Sequence, residues 1–399
     1  MPHEPSVAPD LPAPGVPPHI GDLPAGARNA ITDVPGVRVG HCTLADGAVQ
    51  TGVTVVLPHA GDPYLDKVPA AAAVINGFGK SIGLVQVDEL GVLETPIALT
   101  NTFAVGAVAQ AQIRQAIAAH AEIGRGWPTV NPLVFECNDG YLNDIQAMAI
   151  GETHYRQACA AAGADVAQGA VGAGRGMSAF GVKGGIGTAS RLAGPYRVGA
   201  LVLANYGTPA MLTVAGRRVG AELAQRLAAP TATDAATTNA ATTNAATTNA
   251  AATDAAPAAT DAGRAATDAA QTAADSGPEK GSIIMIVATD APLDSRQLGR
   301  LARRAGAGLA RTGSVYGHGS GDIALAFSTA YTVPHDAATP MPAVAMVHET
   351  ELDPLFHAVA DSVEQAILHA LWHAETVSGR DGHCRRSLLS WMPELNFAD

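Results

Sequence analysis

Aromatic residues are scarce: Phe, Trp and Tyr together make up 4% of the 399 residues. The apolar fraction of 47% is ordinary, with Ala and Gly abundant, so the core must be built from small and aliphatic side chains. Cysteine is also rare. Cys42, Cys137, Cys159 and Cys384 lie far apart with no CxxC spacing, which argues against a disulfide scaffold or a structural zinc site. No apolar run is long; the strongest, Ile283 to Ala288, is far too short to cross a bilayer. The N-terminus lacks a basic start followed by an apolar stretch, so no secretory signal is expected. Basic residues are outnumbered, and the net charge of −12 argues against a general nucleic-acid binder, although it sets neither fold nor partner. These absences predict a soluble, cytoplasmic protein with reduced thiols, bound to neither nucleic acid nor membrane.

Between Leu227 and Ile283 there is no Val, Ile, Leu, Met, Phe, Trp or Tyr. The tract repeats AATTN three times and continues in ATDAA variants; with no apolar stripe to dock it, residues 230–281 read as a disordered linker. About 350 residues remain, enough for one large domain split in sequence into 30–229 and 282–399. Eight prolines in the first 24 residues mark 1–29 as a loose arm or an extended wrap over the body.

Within the domain, Val53–Leu57 and Gly199–Ala204 read as short buried strands, and Val105–Ala121 and Val219–Ala228 as helices, the second stopped by Pro230. After the linker, Ile283–Val287 and Ile323–Phe327 read as strands. Ser295–Arg311 reads as a helix with Leu298, Leu301, Ala305 and Leu309 on one face, and Glu351–Thr376 as a long helix. Strands packed under helices on this scale suggest a layered α/β or α+β domain.

Several motifs carry no chemistry. NGFGKS (76–81) resembles the end of a phosphate-binding loop, but Val74 stands where the first glycine must be. The Gly-dense stretch 169–190 lacks the helix and downstream acid of a dinucleotide site, so its glycines read as points of close backbone approach or pocket lining. His369 and His373 sit four apart, but Ala370 denies the pair a zinc-protease pattern and no third ligand is evident. They read as two histidines on a partly exposed helix face.

Gly281-Ser282 stands at the junction of the flexible tract and a buried strand. A glycine there tolerates unusual backbone angles. The Ser282 hydroxyl could attack the preceding carbonyl, and hydrolysis of the resulting ester would leave Ser282 as a new N-terminus. Its α-amine, with an ordinary pKa of about 7.7–8.0, could then act as base for the adjacent hydroxyl. The dipeptide alone decides nothing, since Gly-Ser before a strand is common.

Its surroundings do more. ITDVPGVRVGH (31–41), LETPIALTNT (93–102), ECNDGYLND (136–144), LVLANYG (201–207), GSIIMIVATDAPL (281–293) and GHGSGDIALAFST (317–329) occur in this order. In them the chain resembles the DmpA-type L-aminopeptidase/D-esterases and β-peptidyl aminopeptidases, over nearly all of its length outside the arm and the tract. The resemblance implies an α+β fold, a four-layer αββα sandwich similar to N-terminal-nucleophile hydrolases. It also implies a precursor that cleaves itself between Gly281 and Ser282. Ser282 would be the nucleophile and Asn205 the oxyanion donor. Ser320 and Asp322 would polarise the nucleophile, shuttle its proton or hold its freed amine. Some relatives carry Glu where this chain has Asp322, which could alter that reach. Glu136 would bind the free amine of the substrate, with Asn138 and Tyr141 lining the same pocket. His318, near Ser320, would suit general-base work but gains no role from the resemblance.

The implied substrates are small peptides, amides or esters with a free amine, turned over without metal or organic cofactor by a homo-oligomer of processed units. Two further readings stay open: an acyltransferase of the related ornithine acetyltransferase type, and an unprocessed binding protein that kept the fold.

Overall fold

Strand β13 (Lys280–Thr289) is apolar at every position from Ile283 to Ala288 because both of its faces are covered. Ile283, Met285 and Val287 enter one core, while Ile284, Ile286 and Ala288 enter another. The computed structural model describes residues 15–229 and 280–395; nearly all of the linker expected over 230–281 lies outside them.

Two sheets stack face to face. The first has the order β1 (Arg38–Asp46), β2 (Val49–Leu57), β5 (Ile97–Asn101), β6 (Leu133–Cys137). The second runs β15 (Val333–Pro334), β3 (Asp66–Gly77), β14 (Gly319–Ser328), β13, β10 (Tyr196–Asn205), β9 (Gly185–Ala193), with β4 (Val92–Leu93) paired to β3. Three two-stranded ribbons complete the strands: β7 (Ser178–Ala179) with β8 (Val182–Lys183), β11 (Thr213–Val214) with β12 (Arg217–Arg218), and β16 (Val377–Ser378) with β17 (Cys384–Arg385).

Helices cover the outer faces. α1 (Leu84–Leu90) lies beside β3, and α2 (Val105–Ala119) and α3 (Glu152–Ala160) pack on the first sheet. α4 (Gly220–Ala228) precedes the tract, and α5 (Ser295–Arg311) and α6 (Asp353–Trp372) pack on the second sheet. α7 (Leu388–Trp391) packs on α4 and α6. Helix, sheet, sheet and helix make the four-layer αββα sandwich, and the Leu298, Leu301, Ala305 and Leu309 face of α5 is buried as its spacing predicts. Asp294 caps that helix, accepting from the Gln297 amide at 2.7 Å.

Segments from either side of 230–279 build one sheet. β13 pairs antiparallel with β10 and parallel with β14, and β14 pairs with β3. Of the arm expected over 1–29, residues 1–14 lie outside the described residues; in the rest, Ile20 is bonded through its amide to Gln365 of α6 and through its carbonyl to Arg191 of β9. The Gly-rich stretch permits close approach, as expected. At Gly187 a Cβ would sit 1.9 Å from the Ala366 carbonyl oxygen, so α6 lies directly on the β9 backbone. His369 departs from expectation. It is buried, bonded through Nδ1 to the Thr188 carbonyl at 2.6 Å, and burial lowers its pKa to about 4; His373 alone is exposed. No helix among the described residues is long and apolar enough to cross a membrane, and they hold no cluster of three metal-binding side chains.

Candidate active site

Three adjacent strands bring the expected chemistry to one sheet end. Asn205 on β10 stands opposite Ser282 on β13, and Ser282 stands opposite Gly321 on β14, with Gly281 opposite Ser320. Ser282 and Asn205 are nearly buried, and Ser320 and Asp322 fully so. The Ser282 Oγ accepts from the Gly321 amide at 3.1 Å, and the Ser320 hydroxyl donates to Asp322 Oδ1 at 2.6 Å.

Strand alternation sorts these groups onto two faces. Ser282 and Asn205 continue the series of Ile284 and Leu203, which face the space between the sheets. Ser320 and Asp322 continue the series of Ala324 and Ala326, which face the α5/α6 layer. The nucleophile candidate and the Ser320–Asp322 pair are thus neighbours on opposite faces of one sheet.

The orientation of the Asn205 amide follows from its partners. Oδ1 accepts from the Ser178 amide at 2.9 Å, and Nδ2 donates to the Asn138 carbonyl at 3.0 Å. An N–H can face only the oxygen and a carbonyl only the nitrogen. Nδ2 carries a second N–H beyond the one given to Asn138.

Glu136 is the penultimate residue of β6 in the facing sheet and is buried, so it is no surface loop carboxylate. Its Oε1 accepts from the Lys80 amide at 2.7 Å and its Oε2 from the Thr102 hydroxyl. A Cβ placed on Gly79 would lie 3.5 Å from Glu136 Oε1 and 4.0 Å from the Gly321 Cα, which locates the carboxylate one residue's width from the Ser282 strand pair. The next residue, Cys137, donates to the Ser282 carbonyl at 3.4 Å. Burial, and then the charges of Glu136, Asp322 and Asp139, push its thiol well above the ordinary range, so it stays neutral and is no competing nucleophile.

Asn138 enters through its carbonyl, while its side chain accepts from the Gly140 amide. Tyr141 lies with its ring stacked on His383, centroids 4.6 Å apart, and with the Arg385 guanidinium 3.8 Å from its centroid. The contacts described for it run to the β16–β17 ribbon. His318 is exposed, with its ring 6.3 Å from that of Phe78.

Sequence reasoning passed over Gly321, Thr102, Ser178 and Asp139, although three of the four fall inside the quoted motifs. Asp139 is fully buried, and burial raises its carboxyl to about 6 against hydrogen bonds from Thr51, Asn143 and Asn101 that lower it. A raised carboxyl pKa means that the folded state holds the proton more tightly than the unfolded chain. Stability is therefore lost as pH rises from about 4 to about 6, and the loss persists above that. We expect Asp139→Asn to raise stability at pH 8 by up to about 3 kcal/mol and to change it little at pH 4, read from thermal melts at both values.

The profile of peptidase family S58 matches residues 29–385. The chain belongs to peptidase family S58. It is 37% identical over 369 residues to the β-peptidyl aminopeptidase BapA of Sphingosinicella xenopeptidilytica, covering 89% of this chain and 83% of that protein. Among solved structures, the β-aminopeptidase of a Burkholderia species superposes with a TM-score of 0.77 at 38% identity, over 94% of this chain and 95% of the other. The L-aminopeptidase D-Ala-esterase/amidase of Ochrobactrum anthropi, described as a prototype of the serine aminopeptidases and a variant of the N-terminal-nucleophile hydrolase fold, gives 0.74 at 32% identity over 92% and 93%. This S58 chain is accordingly a hydrolase of the serine aminopeptidase type, with the fold of those neighbours.

Proposed function

We propose that the chain cleaves itself between Gly281 and Ser282, and that the freed Ser282 then removes N-terminal residues from small peptides, amides or esters bearing a free amine. In the first reaction the Ser282 Oγ adds to the Gly281 carbonyl carbon, the C–N bond breaks and the hydroxyl proton passes to the nitrogen. Water then hydrolyses the ester, releasing the Gly281 carboxylate and restoring the Ser282 hydroxyl. In turnover the same Oγ takes the acyl group of the substrate, its amine or alcohol leaves with a proton, and water resolves the acyl-enzyme.

The register carries this reading. Ser282 stands between Asn205 and the Gly321 amide, and Gly281 stands opposite Ser320. The second Nδ2 proton of Asn205 serves the oxyanion, a contribution worth about 10²–10³ in rate where such donors are removed. Because Ser320 and Asp322 occupy the face opposite Oγ, we assign them to the freed α-amine: Asp322 accepts the Ser320 hydroxyl hydrogen bond, and the Ser320 oxygen can then accept one from the amine. That amine is the base for the hydroxyl.

Glu136 receives the substrate ammonium. Two of its roughly four acceptor sites are filled by Lys80 and Thr102, which leaves room for a further N–H. The names of the relatives favour β-amino acid residues at the N-terminus, and the processed units are expected to assemble as a homo-oligomer.

Intact mass of the denatured protein tests the first half: fragments 1–281 and 282–399 support it, and a persistent full-length chain sinks it. For the second half, Glu136→Gln is expected to raise KM for free-amine substrates about ten- to a hundredfold with a smaller change in kcat. N-acetylated substrates turned over as well as free ones would remove Glu136 from this role.

A further inference from the structure

Lys183 ends the small ribbon β7–β8 and is wholly buried. Its Nζ donates to the carbonyls of Gly174, Met177 and Gly184, each at 2.8 Å. Three acceptors ask for three N–H groups, which only the ammonium form supplies. Burial, then the Arg175 charge, push its pKa well down, with Glu375 and Asp139 pulling the other way; no carboxylate bonds it among the described contacts. Holding an ammonium this way is costly, and a turn can be closed by a hydroxyl or an amide without it. The charge therefore calls for a use.

The use lies one peptide unit away. The Met177 carbonyl that accepts from Lys183 belongs to the same amide group as the Ser178 N–H, and that N–H donates to Asn205 Oδ1 at 2.9 Å. The Gly184 amide also donates to the Met177 oxygen, at 3.0 Å, and the Phe180 amide donates to the Tyr206 carbonyl at 2.9 Å. The ribbon thus grips the end of β10 at two successive residues, with Lys183 locking the plane of the inner grip.

We propose that Lys183 is a positioning residue for the oxyanion donor, acting through two amide groups in series. The ammonium polarises the Met177–Ser178 peptide, which becomes a stronger donor to Asn205 Oδ1. The Asn205 amide, polarised in turn, presents a stronger Nδ2–H to the oxyanion. Chained hydrogen bonds strengthen one another in this way by about 10–30% per bond. The same contacts fix the Asn205 rotamer, so that the amide is aimed before charge develops. This rests on the reading of Asn205 as the oxyanion donor.

A double-mutant cycle tests it. Lys183→Met removes all three donors; Lys183→Gln keeps two N–H donors on a shorter side chain and serves if the first variant does not fold, as judged by thermal melting. Each is combined with Asn205→Ala, and two rates are read: self-cleavage by intact mass, and kcat per cleaved chain. Alone, either lysine variant is expected to lower both rates about tenfold or more, with KM within about threefold. In the Asn205→Ala background the lysine effect is expected to shrink below about twofold. Lysine and asparagine effects that multiply in full, or a change confined to KM, would overturn the relay. An Asn205→Ala protein with undiminished rates would instead overturn the role of Asn205, and the relay with it.

Discussion

Ser282→Ala is expected to remain a single 399-residue chain with no measurable aminopeptidase activity. One oxygen is asked to do two jobs. Under the proposed mechanism it attacks the Gly281 carbonyl in the precursor and the substrate carbonyl in the mature enzyme, so its removal would abolish the second activity twice over: no nucleophile, and no freed amine to act as base. Loss of the nucleophile in a serine peptidase costs on the order of 10⁶ in kcat, and the closed precursor should add to that loss. The fold should be untouched, because the Ser282 side chain makes one described hydrogen bond, from the Gly321 amide, and a Cβ already occupies the site. Intact mass, activity and a thermal melt of the variant together check the claim. Two fragments of normal size, or activity above about 1% of the parent, would contradict it and direct attention to Ser320, which stands opposite Gly281.

The sequence made some of this legible and hid the rest for physical reasons. β13 and the buried face of α5 could be read because their apolar residues follow the period of the element that buries them. β9 could not. Its GIGTASRLA carries no apolar alternation, since its outer surface is buried by α6 pressed against bare backbone at Gly187. α6 was expected over 351–376 and spans Asp353–Trp372; His373 caps it, its amide bonded to the His369 carbonyl.

At the site, Ser282 could be singled out from its place between tract and strand, whereas Asn205, Ser320, Asp322 and Glu136 emerged only through the family's motifs. Strand register brings Asn205, Ser320 and Asp322 to Ser282, and the stacking of the two sheets brings Glu136; a single sequence displays neither. Lys183 is the extreme case. A lysine amid glycines looks like a solvent-facing residue, and only the folded turn reveals three carbonyls gathered around its ammonium.

Gly281→Ala is expected to slow self-cleavage about a hundredfold or more while leaving the turnover of each cleaved molecule unchanged. Gly281 adopts φ +110°, a conformation that side-chain-bearing residues rarely take. A Cβ there would lie 2.1 Å from the Asn205 carbonyl oxygen and 3.1 Å from the Tyr206 Cα, both backbone atoms that cannot step aside. The start of β13 must then swing away from β10, which separates the Gly281 carbonyl from the Asn205 amide that would stabilise its oxyanion. Displacement of about 1 Å can cost about 10² in rate. Once the bond is broken, however, residue 281 is the C-terminus of the other fragment and no longer part of the strand that carries Ser282. The clash disappears with the bond. A time course of intact mass, with kcat normalised to the amount of the 282–399 fragment, separates the two effects. Cleavage at the parental rate would show that the glycine conformation is not needed for the attack. Normal cleavage followed by depressed kcat would show that residue 281 stays in the site after processing, where it would compete with substrate.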